Sequence, residues 1–178
     1  YNGAGYNGWR HNDNPFIIKP KKDGIFNMSQ IEYQHKGGHY FAGAALHTRH
    51  YPIDDEGEMA ASNDATNNTT CAWWIYGEQN LWTAGDKSIA AMLQYSENTS
   101  RNNGCYRFAE VGGAYKDSKN ECGVSAQYAQ FHQGIERTLE LTWKRQITES
   151  IALQPYFQYI NNKNGDFTVL SARLYYSF

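Results

Sequence analysis

The chain has 178 residues, a length for one domain, and a formal net charge of -2 that gives no reason to expect nucleic acid or another polyanion as a partner. Mean hydropathy is -0.74, and no stretch approaches the ~18 consecutive apolar residues that a membrane-spanning helix needs. Aromatic residues still make up 15%, and the 14 Tyr against 4 Pro suit short strands and turns.

In chain order, residues 1–24 ("YNGAGYNGWRHNDNPFIIKPKKDG") lack the basic-then-apolar layout of a signal peptide and are expected to form an extracellular link. Period-two alternation then predicts about nine strands, over 25–35, 40–51, 72–82, 88–97, 105–116, 122–131, 136–147, 151–161 and 167–178. Residues 52–71 are expected to be a long extracellular loop. Its acidic run "DDEGE" at 54–58 lacks the spacing of a calcium loop and reads as a solvated tip, and no metal site or cofactor is expected.

"KGGH", "TAGDK", "KDSKNE" and "TES" read as tight turns, whereas "ENTSRNNG", "HQGI" and "NNKNG" read as longer or more irregular links. Short turns on one rim and longer loops on the other are the organisation of an outer-membrane barrel, whose strands of ~10 residues cross the apolar slab at a tilt. The fold class expected is all-β, an antiparallel transmembrane β-barrel.

Each strand has one apolar side. It reads Ile89, Ala91, Leu93, Tyr95; Ala109, Val111, Gly113, Tyr115; Val124, Ala126, Tyr128; Leu139, Leu141, Trp143; Leu153, Pro155, Phe157, Tyr159; and Leu170, Ala172, Leu174, Tyr176, ahead of the final Phe178. Aromatics near strand ends on this side fit the girdles found at membrane interfaces. Pro155 in mid-strand is awkward, because it deletes a ladder hydrogen bond.

The opposite side supplies the candidate pore-lining and substrate residues: Glu32, His47, Arg49, Tyr76, Glu78, Gln94, Glu110, Gln127, Glu140, Lys144, Gln154, Tyr156, Gln158 and Arg173. Amides with charges of both signs suit a neutral polar solute, and Arg49, Glu110 and Arg173 are the candidates for a constriction. The plainer reading of any one of them is that it solvates the wall. In the third strand a one-residue slip exchanges Glu78 and Gln79. Of the cysteines, Cys71 and Cys105 fall at the same rim and are expected to form a disulfide, whereas Cys122 falls at the opposite one.

Residues 139–178, "LELTWKRQITESIALQPYFQYINNKNGDFTVLSARLYYSF", resemble the C-terminal end of the carbohydrate-selective porins of the OprB type, with weaker echoes in "WIYGEQNLW", "GGAYK" and "GIFNMSQIEYQ". The resemblance implies a barrel of about 16 strands in the bacterial outer membrane. It also implies passive diffusion of mono- or small oligosaccharides as the function. Phe178 and Tyr176 would then form the assembly signal read by the barrel-assembly machinery, with outer-membrane lipid and lipopolysaccharide as surroundings. Because a complete bacterial barrel has an even number of strands, nine imply a missing N-terminal part of the same barrel.

Two other classes compete. An enzyme is not expected, since no Gly-x-Ser-x-Gly, no His-Glu-x-x-His and no close carboxylate pair stands in the sequence. A soluble β-sandwich that binds sugars would share the strands and the Tyr content, and a general diffusion porin would share the barrel. Deletion of Phe178 is expected to lower the yield of assembled protein while leaving the conductance of each assembled pore unchanged, which single-channel recording checks.

Overall fold

The computed structural model describes residues 25–48, 70–98 and 104–177. Nine strands occupy them: β1 (Phe26–His35), β2 (Gly38–His47), β3 (Thr70–Ala84), β4 (Lys87–Asn98), β5 (Cys105–Lys116), β6 (Asn120–Phe131), β7 (Gly134–Gln146), β8 (Ile151–Asn162) and β9 (Gly165–Tyr176). They form one antiparallel sheet in sequential order, so each strand pairs with the next through a hairpin. The nine expected strands are present, with ends moved by a few residues. This is an all-β sheet of the outer-membrane barrel type, and among the described residues its edges are β1 and β9. Arg49, Phe178, the link at 1–24 and nearly all of the loop at 52–71 lie outside the described residues.

Turn chemistry sets several boundaries. Lys36 and Gly37 take φ of 41° and 77°, closing a two-residue turn that lets β2 begin at Gly38. The "HQGI" and "NNKNG" links, expected to be irregular, are also two-residue turns, each followed by a glycine at positive φ, Gly134 at 152° and Gly165 at 123°. Between β5 and β6, Asp117 Oδ1 accepts hydrogen bonds from the backbone N–H groups of Lys119 and Asn120, both at 2.8 Å. Those bonds hold its carboxyl below the usual aspartate range. The carboxylate therefore caps the turn at every pH above the ordinary aspartate value, and the cap is lost only as pH falls through the lower folded value.

Residues opposite one another in adjacent strands share a face. On that basis the register puts Tyr40, Gly77, Leu93, Val111, Ala126, Leu139 and Tyr159 on one side, and Phe41, Tyr76, Gln94, Glu110, Gln127 and Thr138 on the other. A bulge between Asn80 and Trp82 inserts Leu81 into β3, so Glu78 joins the polar face while Trp82 still joins the apolar one opposite Ile89. The apolar face is the more exposed of the two. Leu139 and Leu141 are 42% and 45% exposed, whereas Glu140 and Thr142, which alternate with them, are half-buried. A water-soluble sheet has the reverse arrangement. Among the described residues only Ala152 is a buried apolar residue, and no second sheet covers the apolar side, so the β-sandwich alternative does not stand.

The apolar band does not follow the hydrogen-bonded rows. One row runs Ala42, Ile75, Tyr95, Ala109, Tyr128, Arg137, Asn161, Asp166: it lies inside the band as far as β6 and leaves it from β7 onward. A row nearer the short turns does the opposite, running Asn120, Arg145, Leu153, Leu174. From the middle of Tyr40–Leu46 in β2 to the middle of Leu170–Tyr176 in β9, the band slips by about eight residues across seven strand steps. At ~3.3 Å per residue and ~4.8 Å per strand this is a tilt of about 40°, inside the range for membrane barrels.

Pro155 is accommodated by a gap in one ladder. Pairing of β8 with β7 is interrupted between Thr142–Tyr156 and Arg145–Leu153, while its pairing with β9 runs on through Pro155–Ala172.

Leu141→Arg on the apolar face is expected to destabilise the folded protein in lipid vesicles by about 2–4 kcal/mol. Thr142→Arg on the polar face should cost under about 1 kcal/mol. Urea unfolding of both variants in the same vesicles measures the difference.

Candidate functional site: the polar face

All the expected pore-lining residues within the described chain fall on the polar face. Glu32, Tyr76, Gln94, Glu110 and Gln127 share one hydrogen-bonded row; Glu78, Glu140 and Gln158 share the next. Tyr156 lies one row further toward the short turns, and Gln154 opposite Arg173 one further still. Lys144 is opposite Glu121, and His47 stands at the long-link end of β2. The polar face is not uniform, since Met92 in β4 and Phe167 and Val169 in β9 also lie on it.

On β1–β3 the side chains form an aromatic and acidic cluster. Phe41 and Tyr76 stack with centroids 4.7 Å apart and planes at 14°, and His39 meets both rings at 5.6 and 6.1 Å. His39 Nε2 lies 2.7 Å from Glu32 Oε1, and the Tyr76 hydroxyl donates to Glu78 Oε2 at 2.7 Å. Nearer the long links, Trp74 Nε1 donates to Gln30 Oε1 at 3.0 Å. To reach it, the indole crosses β2 at Gly43, where an added Cβ would lie 2.3 Å from the ring. Trp74, the Phe41–Tyr76 pair and His39 thus make an aromatic stripe down β2 and β3.

On β7–β9 the aromatics carry cations instead. Lys144 Nζ stands 4.7 Å from the Tyr175 ring centre and the Arg173 guanidinium 5.8 Å from that of Tyr156. The Tyr175 hydroxyl donates to Gln154 Oε1 at 2.6 Å. Between the two clusters Gln127 Nε2 donates to Glu110 at 3.1 Å, and Gln158 Nε2 donates to Glu140. There Glu78, Glu110, Glu121 and Glu140 surround a hollow of about 330 Å³ floored by Gly112, Gly123 and Ser125.

Two expectations need correction. Cys71 and Cys105 do not bond to each other, because β4 lies between β3 and β5 and sets them roughly 10 Å apart, beyond disulfide reach. Glu110 and Arg173 both lie on the polar face, four strands apart. The exclusion of an enzyme is withdrawn as well. It rested on the lack of Gly-x-Ser-x-Gly, of His-Glu-x-x-His and of a close carboxylate pair along the sequence, whereas the sheet gathers four glutamates around one hollow. Phe41, His39, Trp74, Glu121 and Tyr175 were passed over by sequence reasoning. Period-two counting carried through β2 would have found the first two.

No family model matches the chain, and no curated protein matches it. Among solved structures it is similar to the outer-membrane expressed OmpT of Vibrio cholerae, with 13% sequence identity and a TM-score of 0.48. The match covers 89% of this chain and 59% of that one, so this chain spans less than two thirds of that protein's length.

Gly43→Ala should push the Trp74 ring off Gln30. We expect a loss of about 1–3 kcal/mol in folding stability, read from the denaturant midpoint, with a changed emission that is absent in a Trp74→Phe background.

Proposed function

We propose that the polar face is the wall of an outer-membrane channel for neutral polar solutes, with small carbohydrates as the substrate class. The observation that carries this reading is the pairing of aromatic faces with carboxylates and amides on the side of the sheet away from the apolar band, at the height that band crosses. A pyranose has an apolar face that stacks on rings such as Phe41 and Tyr76, and equatorial hydroxyls that both donate and accept. Glu78, Gln94, Glu110, Gln127 and Gln158 offer such partners in neighbouring rows. No bond need break for passage, and contacts weak enough to release suffice.

The resemblance of residues 139–178 to the carbohydrate-selective porins of the OprB type supports the same class. Closure of the barrel belongs to this proposal. β1 and β9 run in the same direction, since each odd-numbered strand is parallel to the others in a sequential antiparallel sheet. An odd number of further strands therefore closes the ring without a parallel seam, and about seven give the 16 that the resemblance implies. Arg49 and Phe178 keep their proposed roles as pore-lining residue and assembly signal, and the bacterial outer membrane with its lipopolysaccharide is the proposed location.

Swelling of liposomes carrying the protein tests the solute class. Glucose flux should saturate and exceed that of a charged solute of the same size. The double substitution Phe41→Ala and Tyr76→Ala should raise the half-saturating glucose concentration about tenfold, for loss of ~1–2 kcal/mol of ring contact. Equal, unsaturated rates for all solutes of one size would make it a general diffusion pore.

A further inference from the structure

The apolar face holds a feature that the channel does not use. Ala109 and Ala126 are diagonal neighbours on β5 and β6, flanked along their rows by Tyr95 and Tyr128, and by Val111 and Leu139. Two small residues among large ones leave a hollow of about 630 Å³, bounded on its far side by Tyr159 and at its end toward the long links by Arg137. Arg137 lies between Tyr128 and Asn161 in its row, where the band gives way to polar residues.

The other arginines of this face are engaged. Arg107 Nη2 is 2.9 Å from Glu97 Oε1, and the Arg145 guanidinium lies 5.9 Å from the Trp143 ring centre. Among the described residues, Arg137 has no ion-pair or hydrogen-bond partner. Its nearest row carboxylate, Asp166, is two strands away and is held by Asn161 Nδ2 at 2.6 Å and by the Tyr159 hydroxyl. An exposed guanidinium at the mouth of an apolar hollow, on a surface facing acyl chains, asks for a ligand that is fatty below and anionic above.

We propose that this hollow is a lipid site that takes one acyl chain against Ala109 and Ala126 and binds the phosphate of the same lipid at Arg137. Arg137 stands at the rim that carries the links between His47 and Thr70 and between Asn98 and Cys105, the longer ones and hence extracellular. The occupant is therefore the phosphorylated glycolipid of the outer leaflet, lipid A. This rests on the outer-membrane reading, because only a sheet facing lipid presents the hollow to an acyl chain.

The test is native mass spectrometry of the full chain after exchange into detergent containing defined lipid A. Insertion is verified first, by heat-modifiable migration after reconstitution into vesicles. Retained lipid A should fall about tenfold in Arg137→Gln and in Ala126→Leu, which fills the floor, and should be largely restored in Arg137→Lys. Lipid A stripped of its phosphates should bind the original protein as weakly as Arg137→Gln binds the intact lipid. Unchanged retention in the inserted variants overturns the site, equal retention of phosphatidylglycerol overturns the lipid A assignment, and failure to insert at all overturns the outer-membrane reading with it.

Discussion

Hydrocarbon offers no hydrogen-bond partner to a peptide group, so a chain that crosses it as strands must satisfy every backbone N–H and C=O in its ladders. The sequential hairpin order of β1–β9 meets that demand with short connections, each strand finding its partner next in the chain. Ladders in turn enforce a side-chain period of two, and this divides the chain into its two faces. The apolar face can be the exposed one because the solvent beyond it is lipid. The polar face is then free to carry charge, amide and aromatic groups, which hydrogen-bond and stack on one another across strands.

The tilt of the apolar band gives these faces their three-dimensional meaning. Were the chain a soluble sheet with one greasy side, the apolar residues would have no reason to slip steadily against the register. Here they slip by about one residue per strand, as a slab of fixed orientation requires of strands tilted by about 40°. The same slip relates the two aromatic clusters. Tyr76 in β3 and Arg173 over Tyr156 in β8 and β9 are far apart along the hydrogen-bonded rows, yet both lie near the middle of the band in their own strands. Seen against the slab rather than the rows, they occupy one belt.

Much of this was legible in the sequence, because alternation is a local property. The nine strands, the apolar series from Leu139 to Tyr176 and the side chosen for Glu110, Glu140 and Arg173 all follow from counting by twos. Features that depend on two or more strands at once were not legible. Leu81 as a bulged residue, the β4 strand separating Cys71 from Cys105, the four glutamates around Gly112 and Gly123, and the hollow at Ala109 and Ala126 exist only once the register is set. Pro155 shows both sides. Its missing N–H is plain from the sequence, but only the pairing tells that the β7 side of β8 carries the gap.

The central claim is that one face meets lipid along a belt oblique to the strand rows. Nitroxide labels placed singly along β2 and β9, with the protein in bilayers, measure it through collisions with oxygen and with a water-soluble nickel complex. Lipid exposure should alternate with a period of two, and depth should be greatest near Ala42–Ala44 in β2 and near Ala172–Leu174 in β9. Loss of the alternation, or a depth maximum that stays on the row joining Ala42 to Asp166, would contradict the account.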